Sequence, residues 1–369
     1  MKVLVTGSRG FIGSNLVANL RQDKNIKIVT FDRDDDFEKL QDEIADLDFI
    51  FHLAGVNRPE NATEFYEVNT SLTNKIIDTI NDRSLDIPIL LSSSTHALKD
   101  TDYGKSKKQA EDSVLKYMEK HQGYVYRLNN VFGKWSRPNY NSVIATFCHN
   151  IANNIDIQIN DPNAELELVY IDDVVEEFIN ALNLRKSTNR VDGISYVKPV
   201  YKYKLGEITN LIKDFKKIND SIYVPQTGDD FIKKLYSTYV SYIQLDNLAI
   251  EPKINVDERG LFSELIKTNQ YGQISIATSK PGIVRGEHYH HTKVERFVVV
   301  KGQAKISFRH ILTNETKEYY VDDKQLKIIN IPVGYTHNIE NIGKEDMVFL
   351  IWCNEELNID KPDTYFMKV

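Results

Sequence analysis

The chain has little of what marks secreted, membrane-spanning or nucleic-acid-binding proteins. Its 369 residues include only two cysteines, Cys148 and Cys353, which excludes a disulfide scaffold and suits a reducing interior. No apolar run approaches the ~18 residues that would suggest a membrane span, and no basic-then-apolar leader precedes the first apolar stretch. Formal net charge is −7 with a pI near 5.8, and neither sign gathers into a long block. A surface for nucleic acid or anionic membrane is therefore not expected. Internal repeats and low-complexity tracts are also missing. The expectation is a soluble, cytoplasmic protein.

What is present divides in two, because 369 residues exceed one ordinary core. From Met1 to about Leu182, short apolar runs (Val3 to Val5, Ile26 to Phe31, Phe49 to Leu53, Ile87 to Leu91, Tyr124 to Leu128) alternate with helical periodicity. Strands separated by helices predict parallel βαβ units. Between about Asn183 and Ile250 the chain is polar and rich in lysine and tyrosine, with helices expected over Leu205 to Phe215 and Phe231 to Leu248. From Asn255 onward short strands are punctuated by Pro281-Gly282, Lys301-Gly302 and Pro332-Val-Gly334, the pattern of an all-β domain. The expected division is 1–250 and 251–369.

At the N-terminus, Val3-Leu4-Val5-Thr6 runs into Gly7-Ser-Arg9-Gly10-Phe11-Ile12-Gly13, and a helix follows. Glycines here let the backbone approach a pyrophosphate, and the helix start supplies amide donors. Asp32, closing the second strand, stands where a carboxylate meets the ribose 2′-hydroxyl of NAD. Arg9 and Arg33 could instead hold a 2′-phosphate, and the expected cofactor is NADPH. The glycine spacing resembles the extended short-chain dehydrogenase/reductase family, whose fold is a Rossmann-type parallel sheet with helices on both faces. That resemblance also implies cofactor contacts at Leu53, Ala54 and Asn69.

Tyr103-Gly-Lys-Ser-Lys107 puts a phenol and an ammonium four residues apart, on one face of a helix. The cation is expected to lower the phenol's pKa for proton transfer near neutral pH. The pair resembles the catalytic tyrosine and lysine of the same reductases. Their partner hydroxyl is expected at the end of Ile89-Leu-Leu-Ser92-Ser-Ser94, with Ser94 the choice and Thr95 close behind. His52-Leu-Ala-Gly55, Arg127-Leu-Asn-Asn130-Val-Phe-Gly133 and Val169-Tyr-Ile-Asp172-Asp173 fit the family as well.

Near the C-terminus, His288, His290, Glu295 and His337 supply three imidazoles and a carboxylate, a donor set that suits Zn²⁺ or another divalent ion. Alternate residues of a strand share a face, so His288 and His290 point the same way. His291 fits no ligand slot and is expected to be exposed. With Gly282, Gly302, Pro332-Val-Gly334 and Asn341, these residues resemble the two motifs of the cupin family, although Leu326 stands where the second motif usually opens with glycine. The implied fold is a double-stranded β-helix, or jelly-roll barrel. Asp257-Glu-Arg259-Gly-Leu-Phe262 and Gly282-Ile-Val-Arg285 also resemble the deoxysugar nucleotide 3,5-epimerases, which implies phosphate binding by Arg259 and Arg285 and stacking by Phe262. Two departures matter: His288 takes the place of the epimerases' base, and Glu295 that of a lysine near the enolate. A metal could replace that lysine's charge.

The whole chain, reductase then cupin, resembles the CapF-type bifunctional enzymes of bacterial capsular polysaccharide synthesis. That resemblance implies a UDP-linked 4-keto-6-deoxy-N-acetylhexosamine as substrate and UDP-2-acetamido-2,6-dideoxy-talose as product, on the way to N-acetyl-L-fucosamine. It also implies a homodimer joined through the cupin barrels. A single-activity reductase, a dioxygenase-type cupin holding iron or manganese, and a purely structural metal remain open alternatives.

Overall fold

The computed structural model describes residues 1–59, 61–184, 187, 189–219, 224–251, 255–257, 260–262, 273–355 and 360–369. The first elements are β1 (Lys2–Thr6), α1 (Phe11–Leu20), β2 (Lys27–Phe31), α2 (Phe37–Ile44), β3 (Phe49–His52), α3 (Leu72–Asp82), β4 (Ile89–Ser94), α4 (Asp102–Tyr117), β5 (Gly123–Leu128) and β6 (Asn130–Phe132). Next come α5 (Val143–Ala152), β7 (Glu165–Tyr170), α6 (Ile171–Leu184), β8 (Arg190–Val191), β9 (Ile194–Ser195), β10 (Tyr201–Lys204), α7 (Leu205–Asn219) and α8 (Asp230–Val240). The C-terminal strands begin with β11 (Ala249–Ile250), β12 (Asn255–Asp257), β13 (Gly260–Phe262), β14 (Gln273–Ser279), β15 (Val284–Tyr289) and β16 (Glu295–Lys301). They finish with β17 (Gln303–His310), β18 (Thr316–Asp322), β19 (Ile328–Ile331), β20 (Tyr335–Asn341), β21 (Met347–Cys353) and β22 (Tyr365–Phe366).

These elements form two compact units, Met1–Arg137 with Leu166–Lys202, and Pro138–Glu165 with Tyr203–Val369. In the first, seven strands lie in the order β2-β1-β3-β4-β5-β9-β8, parallel except for the β8–β9 pair at the edge. The central strands carry long apolar runs, as a sheet covered on both faces requires: Val3, Leu4, Val5, Phe49, Ile50, Phe51, Leu90 and Val125 are wholly buried. On one face α2, α3 and α4 pack in series, and α1 packs with α6. This is the expected doubly wound sheet, and it brings the C-terminal ends of β1, β3 and β4 side by side, where such sheets hold ligands.

The second unit holds two antiparallel five-stranded sheets, ordered β11-β19-β16-β21-β14 and β18-β17-β20-β15-β22. Phe297, Val299 and Phe349 from the first sheet interleave with Ile306, Phe308 and Ile339 from the second to form one core. Alternating inward residues of two facing sheets make the jelly-roll barrel. Helices α5, α7 and α8 pack on one another in this unit, and α8 meets the barrel where Ser237 Oγ donates to the Thr292 carbonyl at 2.7 Å. The helix expected to reach Leu248 stops at Val240, because Tyr242 and Ile243 donate their amides three residues back, and a tight turn follows at Leu245–Asn247. Among the described residues no helix is long and apolar enough to cross a membrane.

Candidate active site and metal centre

The glycine loop follows β1 closely. Gly7 has φ of +69°, and a Cβ there would stand 2.8 Å from the Ala54 backbone, so only glycine lets the two turns touch. Gly10 N–H donates to the Gly7 carbonyl at 3.0 Å, and no side chain caps the start of α1, the helix to which Phe11, Ile12 and Gly13 belong. Uncapped amides at a helix start fit an anion. Leu53 and Ala54 donate their amides to Thr6 Oγ1, each at 3.1 Å, which fixes the neighbouring turn. Asn69 sits in the π-helical stretch Phe65–Ser71, where it accepts from Val56 N–H at 2.9 Å and donates to Ser106 Oγ at 3.0 Å.

Asp32 is already engaged: its carboxylate accepts the Ser8 hydroxyl at 2.5 Å and the Arg9 amide at 3.0 Å. The Arg9 side chain lies over it, 3.7 Å away, and is 69% exposed, free to turn toward a ligand. Arg33 is 83% exposed and reaches Glu64 at 3.8 Å.

The residues expected to carry hydride-transfer chemistry gather at the end of β4. Tyr103, from the first turn of α4, lies beside Ser94, whose hydroxyl accepts the His96 amide at 3.2 Å. Thr95 opens the next turn. Lys107 is buried and donates to the Ser92 carbonyl at 3.2 Å, beside Gly55. Burial drives its ammonium down to about 8, with the Glu111 carboxylate pulling the other way. The Tyr103 phenol is not lowered as expected: burial raises it, only partly offset by the Ser94 hydroxyl. Sequence reasoning missed Glu111, which accepts from Arg127 Nε and Nη2 at 2.9 and 2.6 Å and from the Ser93 hydroxyl at 2.7 Å. Glu111 lies one turn beyond Lys107 on α4, and that spacing is the only sequence signal it gives.

In the barrel, β15, the connection that follows it, β16 and β20 bring together His288, His290, Glu295 and His337, with one donor atom from each lying within 4.8 Å of the others. A bulge makes this possible: the β15–β20 register shifts between Gly286 and His288, and Gly286 takes φ of +103° where a Cβ would collide with the His337 carbonyl at 2.9 Å. His290 Nε2 and His337 Nε2 lie 3.4 and 3.3 Å from Glu295 Oε2. All three atoms are buried without a hydrogen-bond partner, a costly arrangement that a bound cation would relieve. Burial pushes the Glu295 carboxyl up, but the His290 and His337 contacts outweigh it and hold it well below the usual range. Burial, then the neighbouring imidazoles, lowers His288 to about 4, so it presents a neutral ring. Three imidazoles and a carboxylate fit Zn²⁺.

His291, expected to be exposed, is buried; its ring packs against Tyr289 and Tyr365. Arg285 is exposed and donates to the Thr278 carbonyl at 2.9 Å. Phe262 closes β13. Arg259 lies outside the described residues.

Comparison with known proteins agrees with this geometry. Residues 3–192 match the NAD dependent epimerase/dehydratase family, and residues 255–365 match the polysaccharide biosynthesis C-terminal domain. The chain belongs to the NAD dependent epimerase/dehydratase family. It is 43% identical to a UDP-2-acetamido-2,6-β-L-arabino-hexul-4-ose reductase of Pseudomonas aeruginosa, over 100% of this chain and 99% of that one. The crystal structure of the capsular polysaccharide assembling protein CapF from Staphylococcus aureus is 45% identical over the full length of both chains, with a TM-score of 0.68. Over 29% of this chain and 78% of the other, the sequence is also 26% identical to the spore coat polysaccharide biosynthesis protein SpsL of Bacillus subtilis. A nicotinamide cofactor follows from the family and from the fit of the glycine loop.

Proposed function

We propose that the chain is a bifunctional nucleotide-sugar enzyme of capsular polysaccharide synthesis. In this reading the barrel epimerises C3 of a UDP-linked 4-keto-6-deoxy-N-acetylhexosamine, and the reductase half then reduces the C4 ketone to give UDP-2-acetamido-2,6-dideoxy-talose. The observation that carries the reading is full-length similarity to a UDP-sugar 4-ketone reductase and to CapF, in a chain that retains both constellations. The functional division falls at 1–250 and 251–369, supported by the two separate family matches.

One ketone links the two steps. A carbonyl at C4 acidifies the C3 hydrogen, so a proton can leave and return on the other face through an enolate. A divalent ion, most readily Zn²⁺, held by His288, His290, Glu295 and His337 supplies positive charge beside that enolate when bound. Arg285, with Arg259, holds the diphosphate, and Phe262 stacks on the base or sugar. In the reductase half, bound NADPH supplies hydride. Ser94 hydrogen-bonds the C4 oxygen, Tyr103 hands it a proton as carbon is reduced, and Lys107 holds the nearby ribose and stabilises the phenolate left behind. Arg9 and Arg33 bind the 2′-phosphate; the carboxylate of Asp32, already taken by Ser8 and Arg9, supports NADPH over NADH. Once C4 is an alcohol, C3 can no longer enolise, and the new configuration is locked.

The reading includes a cytoplasmic homodimer with contact through the barrels, supported by exposed Ile276, Ile283 and Val284 on or beside barrel strands. A reductase whose barrel only supports the fold is the second reading, favoured by the Pseudomonas relative's being named for reduction alone. Incubation with the UDP-4-keto sugar and NADPH, followed by NMR of the product, tests the two. Inversion at C3 together with a C4 hydroxyl supports two activities, and reduction with C3 unchanged supports the second.

A further inference from the structure

His290 enters the cluster from the short irregular connection, residues 290–294, that joins β15 to β16. Asp363, 73 positions later, holds that connection. Its Oδ1 accepts the His291 amide at 2.9 Å. Its Oδ2 accepts the Thr292 and Lys293 amides at 2.8 and 2.7 Å and the Thr292 hydroxyl at 2.9 Å. Its backbone carbonyl faces His290 Nδ1 at 2.5 Å. A carbonyl oxygen only accepts, so Nδ1 carries the proton and Nε2 keeps the lone pair. That Nε2 is the buried atom lying 3.4 Å from Glu295 Oε2.

The residues around Asp363 are built to hold it there. Lys293 Nζ donates to the Pro362 carbonyl at 2.8 Å and to Thr364 Oγ1 at 2.7 Å. Immediately after, β22 pairs with β15, setting Phe366 opposite His288 and Tyr365 opposite Tyr289. Met367 N–H then donates to the Glu287 carbonyl at 2.8 Å. One C-terminal segment thus touches the strand that carries His288 and the loop that carries His290. Asp363 itself has φ of +40°, a left-handed conformation that aspartate tolerates better than most residues and that aims its carbonyl and carboxylate at the same loop.

We infer that Asp363 is a positioning residue for the metal cluster, its carboxylate fixing the 291–293 backbone and its carbonyl fixing the His290 tautomer that presents Nε2. The inference rests on reading the four-residue cluster as a metal site. A mere loop brace would alter the stability of the metal-free protein and nothing else. A positioning residue must alter affinity and ligand geometry, and partners behind a metal-bound histidine commonly change affinity by ~10–100-fold.

The test uses the full-length protein, stripped of metal with a chelator and titrated with cobalt(II). Affinity is read by competition with a chromogenic chelator and geometry by the visible d–d bands. Wild type should bind cobalt at the barrel, and a His337→Ala control should lose that binding. Asp363→Ala should bind ~10–100-fold more weakly with an altered band shape, and Asp363→Asn, which keeps one acceptor oxygen, should fall between. If Asp363→Ala does not fold, Asp363→Asn carries the test alone. A folded variant that binds cobalt with wild-type affinity and spectrum overturns the inference, even where its metal-free form melts earlier. Wild type that binds no cobalt overturns the metal reading itself, which is a different failure.

Discussion

Glu295 Oε1 accepts the Cys353 thiol at 3.3 Å, while the other oxygen of the same carboxylate faces His290 and His337. Register explains the meeting, since Glu295 on β16 pairs directly with Cys353 on β21. Burial and the adjacent carboxylate push the thiol up, so it donates to Glu295 at neutral pH. Cys353→Ala removes one neutral donor, with a net worth of ~0.5–1.5 kcal/mol. The expected result is a ~2- to 12-fold loss of metal affinity, measured by chelator competition, with the fold retained.

In the proposed reduction Tyr103 and Ser94 act on the ketone oxygen together. Tyr103→Phe should lower kcat for ketone reduction by ~10²–10⁴-fold while cofactor affinity, read by nucleotide fluorescence, stays near wild type. Ser94→Ala should lower kcat in the same way. Should Thr95→Val match the loss and Ser94→Ala be harmless, the partner hydroxyl has been assigned to the wrong residue.

The buried Lys107 ammonium, lowered to about 8, sets a pH limit. Below that value it is charged and supports the phenolate; above it the charge is lost. The kcat for reduction should therefore fall as pH rises through about 8. Stability moves the other way. An unfolded lysine keeps its proton up to ~10.4, so between about 8 and that value the unfolded chain binds more protons and this group's contribution to stability grows with pH. A rate that stays flat to pH 10 would contradict the assignment.

Arg9 is expected to discriminate between the cofactors. Losing a charge-assisted contact to phosphate costs ~1.5–3 kcal/mol. Arg9→Ala should raise KM for NADPH by ~10-fold or more and leave KM for NADH nearly unchanged. Equal effects on both would remove the basis for NADPH preference.

The Glu111–Arg127 pair is structural in the same region, with the Glu111 side chain wholly buried. Glu111→Ala strands the half-buried Arg127 guanidinium and the Ser93 hydroxyl and should destabilise the protein by ~2–3 kcal/mol, seen as a fall in the first unit's denaturation midpoint. Removing metal should instead act on the barrel. At a hundredfold excess of metal over Kd, binding contributes ~3 kcal/mol, so chelation should lower that unit's Tm by ~5–10 °C.

The parts legible in the sequence were those fixed by short-range spacing. Gly7, Gly10 and Gly13 and the Tyr103–Lys107 step each reflect a local period, and the structure places them as that period requires, whereas His288 and His290 meet although β15 ends at Tyr289 and His290 comes from the connection that follows. Asp363 was invisible because its partners lie about seventy positions away and nothing near it in sequence marks it. Glu111 gave only a helical spacing. His291 was misjudged because its burial depends on Tyr365, brought back by β22, and Tyr103 because burial of the phenol outweighs the effect of the Ser94 hydroxyl. The overlong helix after Phe231 failed for a related reason: apolar residues continue past Val240, but the backbone turns to place Leu245 and Leu248 in the core.

The central claim is that one chain both inverts and reduces, and deuterium exchange without NADPH tests it most directly. The protein is incubated in deuterated water with the UDP-4-keto-6-deoxy sugar, and label at C3 and C5 is followed by NMR or mass spectrometry. The account predicts incorporation at C3 that survives in Tyr103→Phe and disappears in His337→Ala. No incorporation at C3 by the metal-loaded wild type would contradict it and leave a reductase with a supporting barrel.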